Sequence, residues 1–233
     1  EKVKDSDNWQ AETEVYLAGI KAGQKLTFTI ADAEGTVVAT EEKDATDTIS
    51  VLNLGTAHLW NGLKDPYLYT VTVELKENEK VLDLRSSRFG CRTFKVDPEK
   101  GFFLNGESYP LRGVAKHQDR PVKGNALSKA DHKQDMELIR EVGANTIRLA
   151  HYQYDQYVYD LCDEIGFVVW AEIPYISVHM PTGRQNTLDQ MKELIVQCYN
   201  HPSIVVWGLS NEITMEGADD PDLIENHRLL NDL

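Results

Sequence analysis

Ile204-Val205-Val206-Trp207-Gly208-Leu209 is a continuous apolar run, and Ser210-Asn211-Glu212 follows it directly. A half-exposed strand alternates polar and apolar side chains, whereas a parallel strand covered on both faces is apolar throughout. Three similar runs lie upstream: Leu111-Arg112-Gly113-Val114-Ala115, Thr146-Ile147-Arg148-Leu149-Ala150 and Phe167-Val168-Val169-Trp170-Ala171. Each run precedes a helical stretch, over 128–142, 155–165, 186–199 and 222–233. Val158, Leu161, Cys162 and Ile165 form one buried stripe at helical spacing, and Leu188, Met191, Leu194, Ile195 and Cys198 another. Ser128, Asp155 and Asn186 are suited to cap helices, Gly143 and Gly166 to end them, and Pro202 to stop the third. Four such units permit an open doubly wound sheet or half of a (β/α)8 barrel. No glycine-rich phosphate motif follows any strand, so nucleotide binding has no support.

The placement of the polar residues favours the barrel. His117 and Asp119 follow the first strand, His151 the second, Glu172 the third, and Asn211 and Glu212 the fourth. In a barrel those ends converge on one mouth. Singly, each has a plainer reading. A lone His117 or His151 is more often structural. Glu172 can pair with Arg148, and Trp170 and Trp207 are more often core than sugar platforms. Asp163-Glu164 reads as a solvated helix face. Alternation poses a problem: Asn211 and Glu212 differ in parity, as do Arg148 and His151, so the strands must end or bulge there.

Residues 1–96 carry the period of strands. Lys25 to Ile30, Thr48 to Leu52 and Tyr69 to Leu75 alternate, and turn signals such as Glu34-Gly35, Asn61-Gly62 and Asp65-Pro66 separate them. Short strands at this spacing predict an antiparallel sandwich.

The 233-residue chain has a net charge of −14, which disfavours nucleic acid as a partner. No apolar run approaches the ~20 residues of a membrane helix. The three cysteines are odd in number and lack a C-x-x-C pair, so neither a disulfide framework nor a zinc site is expected. A reducing, cytoplasmic setting is expected.

Asn200-His201-Pro202-Ser203-Ile204, leading through Trp207 to Asn211-Glu212, resembles the acid/base signature of glycoside hydrolase family 2. Arg112-Gly113-Val114 with His117, and Arg148-Leu149-Ala150-His151-Tyr152, resemble the family's first two barrel strands. Ala57-His58-Leu59-Trp60 through Pro66-Tyr67-Leu68-Tyr69 resembles the end of its immunoglobulin-like domain. The resemblance implies an immunoglobulin-like sandwich over 1–96 and the first half of a (β/α)8 TIM barrel over 97–233, as an internal piece of a longer enzyme. It implies a retaining glycosidase with Glu212 as acid/base. Asn211, His117, Asp119, His151, Glu172, Arg148 and Trp207 would bind or orient the sugar. The nucleophile would come from a later strand, leaving this stretch inactive alone.

Trp170-Ala171-Glu172-Ile173-Pro174 and His117-Gln118-Asp119-Arg120 look most like a bacterial β-galactosidase branch, so a β-galactoside is the expected substrate. A β-glucuronidase, or a non-catalytic carbohydrate-binding module, is the alternative. The familiar galactosidase carries Glu-x-His after its third strand. Residues 173–179 here do not, so no cofactor is expected and the motif does not support magnesium. A half barrel exposes strand edges and an apolar inner face, so self-association is expected.

Overall fold

Alternation along the first third of the chain becomes two packed sheets in the computed structural model, which describes residues 1–214 and 217–233. The strands are β1 (Trp9–Glu14), β2 (Lys25–Ala31), β3 (Val37–Asp44), β4 (Ile49–Gly55), β5 (Tyr69–Glu77) and β6 (Lys80–Phe89). One antiparallel sheet has the order β3-β2-β5-β6, and β1 pairs with β4 in the other. In β2, Leu26, Phe28 and Ile30 point inward while Thr27 and Thr29 are half-buried. Phe28 lies opposite Val73 and Ile30 opposite Val71. Trp9, Leu52 and Leu54 complete the core from the second sheet. This is the expected sandwich. Strands β1, β3 and β6 gave no clear signal in the sequence. Strand β6 is exposed along most of its length at a sheet edge, so burial imposes no alternation on it.

A small antiparallel sheet follows, made of β7 (Phe94–Asp97), β8 (Gly101–Leu104) and β9 (Glu107–Ser108). The expected division between 96 and 97 falls inside β7. Phe102 and Leu104 pack with Trp60 and with Val168, the first residue of a barrel strand. This sheet therefore plugs the N-terminal end of the barrel strands.

The barrel portion runs β10 (Gly113–Lys116), α1 (Lys129–Glu141), β11 (Thr146–Leu149), α2 (Gln156–Ile165), β12 (Val168–Glu172), α3 (Arg184–Cys198), β13 (Ile204–Gly208) and α4 (Pro221–Asn231). The four strands are parallel and adjacent in chain order. A doubly wound sheet would reverse that order at a switch point. One face packs against the helices: Ile147, Leu149, Val169, Ala171 and Ile173 share a core with Met136, Val158, Cys162, Met191 and Leu194. The other face carries Arg148, Trp170 and Glu172. The sheet is open; four strands do not close a barrel.

Helix ends follow local chemistry. Ser128 and Asp131 form a reciprocal capping box on α1. Asp155 caps α2, and Gly166 ends it at φ +93°. Helix α3 starts at Arg184 rather than Asn186, because a 3-10 turn at Pro181–Gly183 leads into it and leaves Asn186 in the first turn. The three cysteines are buried and unpaired. No described helix is long and apolar enough to cross a membrane.

Sandwich and barrel meet along a polar seam. Trp60 Nε1 donates to the Asp163 carbonyl at 2.9 Å. Arg92 donates to the carbonyls of Pro202 and Ile204. Arg88 pairs with Asp160 and Glu164. A Cβ on Gly90 would lie 2.8–2.9 Å from Trp60 and Pro202, and one on Gly166 would lie 2.2 Å from the Gly62 carbonyl oxygen. Asp163, read from the sequence as solvated, is only 2 % exposed; it accepts from the Ser203 N–H and lies 2.5 Å from His201 Nδ1. The first half of the 200–212 motif is therefore docking surface.

Candidate active site at the strand ends

Strands β11 and β12 are in register with Arg148 opposite Trp170, and β12 and β13 with Glu172 opposite Gly208. Side chains of one parity thus gather on the inner face. Glu172, the last residue of β12, is fully buried. A buried carboxylate is stable only when paired and hydrogen-bonded. Its Oε2 accepts from Arg148 Nε at 3.1 Å and Nη2 at 3.0 Å, and its Oε1 lies 2.5 Å from His151 Nδ1. Arg148 Nη2 also donates to Asn211 Oδ1 at 2.9 Å. One guanidinium therefore ties together residues from three successive strand ends.

The 2.5 Å contact with a carboxylate assigns the proton to His151 Nδ1. Nε2 is left free to meet a ligand hydroxyl. The His117 ring stands edge-on to it, with centroids 5.2 Å apart. Gly208 makes room for this group. A Cβ there would lie 2.6 Å from Glu172 Cβ and 2.3 Å from Trp170 Nε1.

The parity problem is resolved by where the strands stop. Strand β11 ends at Leu149, so His151 lies beyond its alternation. Strand β13 ends at Gly208. Asn211 then bridges to Ile176 in the loop after β12. Glu212 takes φ +52° and is exposed.

The structure divides the expected site residues. Arg148, His151, Glu172 and Asn211 form one bonded cluster, with His117 against it. Glu212 adjoins the cluster through the chain. Asp119 is exposed and makes no hydrogen bond among the described residues. Its loop is clamped to α1: Arg120 pairs with Asp131 and Asp135, and Lys123 with Asp131. Lys123, followed by the Ser128 cap, holds the Asp131 carboxyl well below the usual range. Trp207, opposite Ala171 in register, packs toward the helix-side core. Alternation gives the inner face to Trp170, which is 40 % exposed with the Arg148 guanidinium 5.3 Å from its ring. Strand parity counted back from Glu172 would have chosen Trp170.

Among the described residues, Asp160, Asp163 and His201 bring potential metal ligands together, but at the seam rather than at the strand ends. Asp160 is engaged by Arg88, and Asp163 by His201 and Ser203.

Comparison with known proteins agrees with this architecture. The family profile "Glycosyl hydrolases family 2" matches residues 2–92, and "Glycosyl hydrolases family 2, TIM barrel domain" matches residues 94–232. A β-glucuronidase of Bacteroides fragilis is 47 % identical over 172 residues, covering 70 % of this chain and 25 % of that protein. The crystal structure of an FMN-binding β-glucuronidase from Facaelibacterium prausnitzii L2-6 superposes with TM-score 0.94 at 42 % identity, over 98 % of this chain and 36 % of that one. The structure of a putative β-galactosidase from Bacteroides fragilis gives TM-score 0.90 at 37 % identity, over 100 % and 36 %. The chain spans about a quarter of the length of the curated relatives it matches. The matches run from the first strands of the sandwich to the last helix, and this chain belongs to glycoside hydrolase family 2.

Proposed function

We propose that this chain forms part of a retaining β-glycosidase that acts on β-glucuronides. The carrying observation is the Arg148–Glu172–His151–Asn211 cluster at the strand ends, with Glu212 directly after Asn211. The choice of sugar is supported by the relatives, several of which are named β-glucuronidase. It replaces the galactoside expected from the 170–174 and 117–120 motifs.

On this reading Glu212 donates its proton to the glycosidic oxygen as that bond breaks, and later takes a proton from the attacking water. Asn211 holds the sugar's 2-hydroxyl, and His151 Nε2 and His117 face the other hydroxyls. A second carboxylate ~5–5.5 Å from the first attacks the anomeric carbon. Glu172 is unsuited to that task. It is fully buried, and both its oxygens are engaged by Arg148 and His151. The attacking group is assigned to a later barrel strand of the whole enzyme.

The test is hydrolysis of nitrophenyl β-glucuronide and β-galactoside, side by side, by the natural full-length protein. Preference for the glucuronide supports the proposal. Preference for the galactoside keeps the chemistry and replaces the sugar. No loss of activity in Glu212→Gln would remove Glu212 as the acid/base, and hydrolysis of neither substrate would leave a carbohydrate-binding module.

A further inference from the structure

Glu212 is a left-handed, non-glycine residue at φ +52°. Such a conformation persists only where the surroundings over-determine it. The fixing contacts are in the backbone just ahead. The Asn211 N–H donates to the Tyr175 carbonyl at 2.9 Å, and the Asn211 carbonyl accepts from the Ser177 N–H at 2.9 Å. Both backbone groups of Asn211 are thus held by the loop after β12.

Two histidines connect this arrangement to the first turn of α4. His179 Nε2 donates to Asp222 Oδ2 at 2.7 Å, and its Nδ1 is hydrogen-bonded to the Tyr175 hydroxyl at 2.5 Å. His227 Nδ1 donates to the Leu223 carbonyl at 3.0 Å, so its Nε2 accepts from the Ser210 hydroxyl at 2.7 Å. Each imidazole has one nitrogen on α4 and the other on a segment flanking Asn211. The Tyr175 and His227 rings lie 5.6 Å apart, which closes the circuit. The anchor itself is rigid. Leu223 and Leu230 are buried, Arg184 of α3 pairs with Asp222, and Thr187 of α3 bonds Asn226.

We propose that His179 and His227 are positioning residues. They fix the backbone of 210–212, and with it the direction of the Glu212 carboxylate, to α4 rather than to strand β13. This rests on Glu212 being the acid/base, so the experiment has an arm that does not depend on catalysis. Amide exchange over 209–213 and 175–178 is measured in the natural full-length protein and in His227→Ala, His227→Gln and Tyr175→Phe. Tyr175→Phe removes only the hydroxyl, and Gln can place an amide near the Nε2 position.

Faster exchange in both segments for His227→Ala and Tyr175→Phe is expected. In the same variants kcat should fall roughly 10- to 100-fold with little change in KM, the mark of a misplaced group acting in the transition state. His227→Gln should recover most of both. Unchanged exchange in His227→Ala and Tyr175→Phe overturns the proposal. Equal losses in His227→Ala and His227→Gln, in step with lowered Tm, also overturn it by making His227 a general packing residue. Glu212→Gln with unchanged kcat would remove the catalytic reading, and the exchange result would still decide the positioning.

Discussion

His151 Nδ1 lies 2.5 Å from Glu172 Oε1, and the other oxygen of the same buried carboxylate is occupied by Arg148. Glu172 is thus the centre on which the inner-face cluster depends. Arg148→Ala should leave it buried with only His151 for company. Breaking a fully buried pair costs about 3–5 kcal/mol. Arg148 is one-third exposed, so the expected loss is nearer ~2–4 kcal/mol, read from denaturant midpoints. A change below about 0.5 kcal/mol would show that the pair contributes no more than a surface salt bridge.

Gly208 is predicted to be irreplaceable. In Gly208→Ala the new methyl meets Glu172 Cβ and the Trp170 indole nitrogen. Overpacking of this kind costs about 1–3 kcal/mol. Both neighbours belong to the inner face, so affinity for a sugar should fall along with stability. Retention of full stability would mean that Trp170 can swing aside.

His132 supplies an acid-sensitive element. It is 2 % exposed, and its Nδ1 has no partner among the described residues. Burial holds the imidazole below its ordinary range. The unfolded chain therefore takes up a proton that the fold resists. The stability due to the neutral ring is complete above the unfolded value of about 6.5 and is lost as pH falls from there toward the folded value. His132→Leu should flatten that part of the stability profile. Identical profiles for the two proteins between pH 7 and 5 would contradict this.

The cysteines should be silent in the native state. Burial pushes the Cys91 thiol up to about 11 and raises those of Cys162 and Cys198 as well. Thiolate is the reactive form, so a thiol reagent at pH 8 should label none of the three until denaturant is added. Prompt labelling of any one would reveal local opening at its site.

Much of this could be read from the residues. The apolar runs gave the four parallel strands, and helical spacing at Val158, Leu161 and Cys162 gave the buried face of α2. The Glu172–Arg148 pair followed from placing a cation inside an apolar strand. The choice between Trp170 and Trp207 was legible too, since Trp170 shares the parity of Glu172 within β12. Other features depended on contacts between distant segments. Strand β6 lies at an edge, where nothing requires alternation. Asp163 looked solvated because its partners are 38 and 40 residues away in His201 and Ser203. The roles of His179 and His227 required knowing that α4 returns to the loop after β12.

The seam between sandwich and barrel constrains how this protein could be recombined with its relatives. Trp60 and Arg92 are the donors for the carbonyls of Asp163, Pro202 and Ile204, and Gly62 faces Gly166 with no space for a side chain. A chimera that exchanged only the sandwich would have to match all of these positions at once, or leave buried acceptors empty. A graft should therefore keep the two modules together and cut outside them rather than between them.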